Sequence, residues 1–263
     1  MPKKAKRVDR NDKWYVLAKE QGYRSRAAFK LAQIQKEFNL LGGSTRVVLD
    51  LCAAPGGWSQ VAAKTVAKGA CVVAVDLLPI RAIPGVRTLV GDVTTKATRD
   101  AVKREVLEAT GGSLSAGVDV ALCDGAPNVG AAYNKDAYVQ NEISLFALKC
   151  GIDCGLKRGG AFVTKVYRGA DYNALLWAFG RFFERVRAFK PQASRAQSAE
   201  IFVVCEKYLA PAKVDPKLFD PKAVFAPQQA PSGGDAAKGS SNKGALLMKW
   251  DTKRKRQREG YAD

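Results

Sequence analysis

Three carboxylates stand where apolar runs give out: Asp76 after 71–75, Asp92 just past 86–90, and Asp124 after 118–123. At the carboxyl edge of an open sheet, such groups face whatever binds there. One can accept from ribose hydroxyls, one from an exocyclic amine, and one can face the reacting atoms. Lys165 closes a fourth run, Phe162-Val163-Thr164. Lysine is seldom placed in a strand built for burial, and the plain alternative is an edge strand from which it reaches water. Lys30 falls in a helical pattern and by spacing alone reads as a solvated lysine. The sequence contains no histidine. Ser-His-Asp, Cys-His and His-ligated zinc chemistry are thereby excluded, and proton transfer falls to Lys, Asp, Glu, Tyr or Cys.

These groups are arranged around one turn, Asp50-Leu51-Cys52-Ala53-Ala54-Pro55-Gly56-Gly57-Trp58, between the apolar run 46–49 and a helical pattern starting near Ser59. Paired glycines let backbone approach a ligand without a Cβ in the way. There is no GxGxxG, and a single Gly-Gly pair followed by an aromatic suits a bulky uncharged or cationic ligand better than a pyrophosphate. Asp76 follows the turn by about 20 positions, the separation of a carboxylate that holds ribose hydroxyls. A nucleoside-type ligand is the expectation.

Strands and helices alternate through the chain, which predicts an α/β fold with a Rossmann-like, doubly wound sheet behind an N-terminal helical segment. Residues 13–40 read as two helices broken at Gln21-Gly22-Tyr23, with Ser25 as N-cap of the second and Ala28, Leu31, Ala32, Ile34 and Phe38 as its apolar face. A long helix over 136–156 is closed by Lys157-Arg158-Gly159-Gly160. Strands follow at 186–189 and 201–208, with Lys190-Pro191-Gln192-Ala193-Ser194-Arg195 between them as a basic loop suited to phosphates. The reading gives a basic disordered arm at 1–12, one domain at 13–208, and a linker with a flexible basic tail at 209–263.

A net charge of +18 in 263 residues implies attraction to polyanions, with RNA or another nucleic acid ahead of a membrane. No apolar run is long enough to span a bilayer, and the charged start is unlike a secretory signal, so an intracellular protein is expected. Six cysteines without a CxxC pair read as buried small hydrophobes. No metal is expected, Cys150 and Cys154 included.

Asp50 to Gln60, Asp124-Gly125-Ala126-Pro127, Phe162-Val163-Thr164-Lys165 and Ser198-Ala199-Glu200-Ile201-Phe202 together resemble the FtsJ family of S-adenosylmethionine-dependent RNA ribose 2′-O-methyltransferases, over roughly 22–208. The resemblance implies a class I methyltransferase fold. It implies that Gly56 and Trp58 line the methionine end of S-adenosylmethionine, that Asp76 holds its ribose and Asp92 its adenine, and that Lys30, Asp124, Lys165 and Glu200 form a catalytic tetrad with Asp124 also near the cofactor. Lys165 is then either a general base, if its pKa is depressed, or a cation that orients the hydroxyl and stabilises charge on oxygen. Asn128-Val129-Gly130, Asp215-Pro216-Lys217 and the segment 255–261 are most similar to the eukaryotic nucleolar branch. That branch acts on large-subunit pre-ribosomal RNA during ribosome assembly, in the nucleus and nucleolus, and continues into a long carboxy-terminal region, whereas this sequence ends at Asp263. The alternatives are a transfer-RNA anticodon-loop methyltransferase and a catalytically silent RNA-binding assembly factor. The cluster 253–256 reads equally as a nuclear localisation signal or an RNA contact.

Overall fold

The computed structural model describes residues 12–112, 117–127 and 133–226. Residues 1–11 and 227–263, which hold the expected arm and most of the expected tail, lie outside them, as do Asn128-Val129-Gly130.

Two helices, α1 (Lys13–Glu20) and α2 (Ala28–Phe38), precede an alternating series: β1 (Val47–Leu51), α3 (Gly57–Thr65), β2 (Cys71–Asp76), β3 (Val86–Val90), α4 (Lys96–Ala109), β4 (Val118–Cys123), α5 (Tyr133–Asp153), β5 (Leu156–Tyr167), α6 (Tyr172–Phe179), β6 (Phe183–Phe189) and β7 (Glu200–Tyr208). The strands form one sheet in the order β3-β2-β1-β4-β5-β7-β6. All ladders are parallel except those of β7, which runs against both β5 and β6. The doubly wound expectation holds.

Both faces of the sheet are covered, so its central strands β1 and β4 are buried along their whole length rather than on alternate residues. Val47, Leu49 and Leu51 pack with Val102, Leu145 and Phe179 of α4, α5 and α6. Val48 packs on the opposite face with Leu31 and Ile34 of α2 and Val61 of α3. β1 therefore delivers its last residues to the carboxyl edge between two packed layers, and its neighbour β4 does the same.

Three boundaries differ from the sequence reading. Ser25 does not cap α2 through its side chain; its carbonyl accepts from Ala28 N at 3.2 Å. α5 ends at Asp153, and Lys157-Arg158-Gly159-Gly160 open β5 rather than closing the helix. Gly155 at φ 97° turns the chain, and a register shift between Val118 and Val120 absorbs the extra residues. Finally, the folded segment runs beyond 208. Asp215 and Asp220 each accept from the backbone N–H two residues on, opening a 3-10 turn (Pro216–Phe219) and α7 (Pro221–Val224). Phe219 stacks on Phe182 at 5.1 Å and Phe225 meets Tyr138 edge-on at 5.4 Å. The proline-rich composition of this stretch masked two Asp-Pro-Lys caps.

Candidate active site

The glycine turn leaves β1 beside the end of β4, and its two glycines serve different needs. Gly56 has φ 104°, and a Cβ there would meet Ile83 Cδ1 at 2.7 Å. A Cβ on Gly57 would fall 2.4 Å from Ser25 Oγ. Between this turn and the start of α2 lies a cavity of about 160 Å3, bordered by Ser25, Asp50, Cys52, Gly57, Trp58 and Asp124 among others. Gly57 borders the cavity, and Gly56, the residue the resemblance assigns to the methionine end, lies beside Ile80, Ile83 and Arg24. Trp58 borders the cavity, but its indole is committed to packing. Its Nε1 donates to Ala27 O at 2.9 Å, and its ring lies 5.5 Å from Phe202.

Asp76 and Asp92 stand further along the same edge. Asp76 is half-buried, with Oδ2 accepting from Ala54 N and Oδ1 from Leu78 N, both at 2.8 Å. The strand end is thereby tied to the turn, and each oxygen keeps capacity for a further donor. Asp92 is exposed, and its Oδ1 accepts from Thr94 N and Oγ1. Leu77, Leu78 and Val90 lie exposed beside these two carboxylates. An apolar surface flanked by acceptors fits a purine nucleoside, and the acidic cavity at its end fits a cationic group.

Lys30, Asp124, Lys165 and Glu200 come together next to that cavity from α2, the end of β4, β5 and the start of β7. Lys30 Nζ lies 2.8 Å from both carboxylate oxygens of Glu200 and 3.9 Å from Asp124 Oδ2. Lys165 Nζ donates to the Asp124 carbonyl at 2.9 Å and sits 3.1 Å from Asp124 Oδ1. That oxygen is buried and, at this angle, has no hydrogen-bond partner. Neither lysine is solvated as the plain reading would have it. Lys165 is 5% exposed, and β5 is an interior strand. The order of charges is Glu200, Lys30, Asp124, Lys165, with each cation beside a carboxylate.

Burial is the largest single influence on Lys165 and pulls its pKa down, but Asp124 and Glu200 together outweigh it and hold the pKa above the ordinary lysine value. Lys165 is therefore charged at neutral pH. For Glu200 burial acts upward, and Lys30, Lys165 and the Ser194 hydroxyl reverse it, leaving the carboxyl below its ordinary value.

Sequence reasoning passed over several residues that hold this geometry. Ser194 Oγ donates to Glu200 Oε1 at 2.8 Å. Its loop is docked on the α2 segment by Arg26 to Ala193 O and by Ala193 N to Gln33 Oε1. Lys30 and Gln33 share one face of α2 and Arg26 stands in the turn just before it, a spacing visible in the sequence but without a visible partner. Asp50 lines the cavity, accepts from Ser59 Oγ at 2.5 Å and is buried. Burial first, then Asp124 and Asp76, push its pKa up to about 7 against the opposing Ser59 hydrogen bond. Lys190, placed by the sequence among phosphate ligands, donates to Ala196 O and Ser198 O and so shapes its own loop. Among the described residues no group of His, Cys, Asp or Glu side chains is arranged to hold a metal ion.

A parallel sheet with one reversed strand, a glycine turn leading into an acidic cavity, and a buried lysine–carboxylate cluster beside it define a Rossmann-like methyltransferase. The pattern of the FtsJ-like methyltransferase family matches residues 23–208, and the chain belongs to that family. The chain is 49% identical, over 97% of its own length, to the pre-rRNA 2′-O-ribose RNA methyltransferase FTSJ3 of Pongo abelii and covers 28% of that protein. It is also 49% identical to the AdoMet-dependent rRNA methyltransferase spb1 of Schizosaccharomyces pombe, covering 97% of this chain and 29% of that one. The chain therefore spans less than a third of the length of these relatives. A crystal structure from Plasmodium falciparum, described as a ribosomal RNA methyltransferase, shares the fold at a TM-score of 0.60 and 24% identity, over 71% of this chain and 99% of the other.

Proposed function

We propose that the protein transfers the methyl group of S-adenosylmethionine to a ribose 2′-hydroxyl of large-subunit pre-ribosomal RNA, in the nucleolus. The observation that carries this reading is the Lys30, Asp124, Lys165 and Glu200 cluster beside the acidic cavity. The names of the relatives support the RNA and the ribose oxygen as the target.

S-adenosylmethionine, when bound, supplies an electrophilic sulfonium methyl group. Gly57, Asp50 and Asp124 would hold its methionine end, Asp76 its ribose, and Asp92 with Leu78 and Val90 its base. Lys165 would hold its ammonium group against the ribose oxygen as that oxygen takes the methyl group, and the hydroxyl proton passes to solvent water. Asp124 and Glu200 fix the two lysines and keep Lys165 charged. Orientation and a preorganised cation are the chief contributions of such a site.

Asp50 gives the cofactor step a pH signature. A carboxyl raised in the fold is favoured in its protonated form, so it costs stability as pH climbs from about 4 towards 7. A cation in the cavity stabilises the ionised form. Affinity for S-adenosylmethionine is therefore expected to fall about tenfold between pH 8 and pH 6, measured by calorimetry. Asp50→Asn should bind more weakly at pH 8 and lose most of the pH dependence, whereas a wild-type affinity level across this range would refute the role.

Arg195 is 61% exposed, with Asp12 at a marginal 3.9 Å, and is free to meet phosphate. Arg195→Ala should weaken RNA binding a few-fold and flatten the salt slope by about one. An unchanged slope would remove Arg195 from the interface. The functional reading itself is tested by offering large-subunit precursor RNA and transfer RNA with labelled S-adenosylmethionine and mapping ribose methylation. Marks confined to transfer RNA would move the substrate to that class.

A further inference from the structure

The β4–β5 ladder stops at Cys123↔Thr164, one residue short of both Asp124 and Lys165. Beyond that point the two strands no longer pair with each other. Gln140, on α5, bridges them. Its Nε2 donates to Gly125 O and to Lys165 O, each at 3.0 Å. A carboxamide nitrogen carries two N–H groups, so both bonds form together. Ser144, one turn along the same helix, has its hydroxyl 2.7 Å from Lys165 O and 3.0 Å from Gln140 O; with a single proton it serves the nearer carbonyl. Both side chains are fully buried.

The Gln140 amide can be oriented only one way, because both of its neighbours are carbonyls. Its Oε1 is left buried with no hydrogen-bond partner. An unpaired acceptor in the interior is unfavourable, and the nitrogen's two bonds are what hold it there.

We propose that Gln140 is a positioning residue for methyl transfer, with Ser144 as its auxiliary. The carboxamide supplies the missing rung between β4 and β5 and thereby fixes Asp124 against Lys165. Both halves of the 3.1 Å ion pair flank carbonyls that this one nitrogen holds. If the rung is lost, the strand ends part, the ion pair lengthens, and the carboxylate influence that keeps Lys165 charged weakens. The inference rests on the functional reading above.

The test is single-turnover methyl transfer on the full chain as a function of pH, normalised to folded protein, with S-adenosylmethionine affinity measured alongside. Gln140→Met keeps the length of the side chain and removes the donors. It should lower the rate constant at least thirtyfold, weaken cofactor affinity by a clearly smaller factor because Asp124 also borders the cavity, and move the alkaline limb that reports Lys165 to lower pH. Ser144→Ala, a milder change that decides the matter if Gln140→Met folds poorly, should lower the rate three- to tenfold with a smaller shift in the same direction. A purely structural role would reduce thermal stability alone; an unchanged rate constant and alkaline limb per folded molecule in these variants overturns the proposal. Failure of the wild type to methylate RNA would count against the functional reading instead.

Discussion

Lys165→Met is expected to lower methyl transfer by about a thousandfold while S-adenosylmethionine still binds within a few-fold of wild type. The two effects separate because of where Lys165 sits. It does not border the cavity, whereas Asp50 and Asp124 do. Its ammonium group is fixed by Asp124, through the carbonyl at 2.9 Å and Oδ1 at 3.1 Å. Removing one preorganised group aimed at developing charge typically costs about 10²–10³ in rate, and loss of hydroxyl orientation adds to it. Methionine retains the stem's packing, but among the described residues it leaves Asp124 with Lys30 alone as an ion-pair partner, at 3.9 Å. Breaking a buried pair costs about 3–5 kcal/mol, so a lower melting temperature should accompany the loss. The rate must therefore be scored per folded molecule. A variant that retained a tenth of wild-type activity would show that Lys165 lies outside the chemistry.

The second large effect is expected of Glu200→Gln, and its pH dependence tells how Lys165 works. Glu200 accepts from Lys30 and Ser194 and is one of the two carboxylates that hold Lys165 above its ordinary pKa. A charged Lys165 predicts a wild-type rate that is level from neutral pH upwards and falls only above the usual lysine value of 10.5. A neutral Lys165 acting as base predicts a rate that climbs tenfold per pH unit over the same range. Glu200→Gln should reduce transfer about a hundredfold near neutrality, the low end of what losing one preorganised electrostatic group costs, and bring the alkaline fall to lower pH. A unit rising slope in the wild type would contradict the charged role.

The same linkage governs stability. Glu200, lowered in the fold, contributes stability above its ordinary value of 4.5 that is lost as pH falls through its folded value. Lys165, raised in the fold, contributes below 10.5 and loses this as pH rises past its folded value. The cluster is at full strength between these limits.

Much of the fold was legible because the apolar runs and glycine breaks of an α/β chain are strong local signals. The strand ends at Asp76, Asp92 and Asp124 could be read for the same reason. The joining of Lys30 to Glu200 could not, since 170 positions separate them and only the sheet order brings them together; their pairing came from resemblance. Lys157-Arg158-Gly159-Gly160 misled because cations and glycines mark a helix stop in sequence, whereas here they cross a strand irregularity. Gln140 and Ser144 were invisible as functional groups, because polar residues one turn apart on an amphipathic helix look like its wet face. Their burial appears only once β4 and β5 are in place.

The most direct measurement is transfer of label from S-adenosylmethionine to large-subunit precursor RNA by the wild type and by Lys165→Met, with the product mapped at nucleotide resolution for ribose 2′-O-methylation. Defined ribose marks made by the wild type and absent with the variant are the expected result. Equal marks from both proteins, or no transfer by a wild type that binds the cofactor and the RNA, would contradict it.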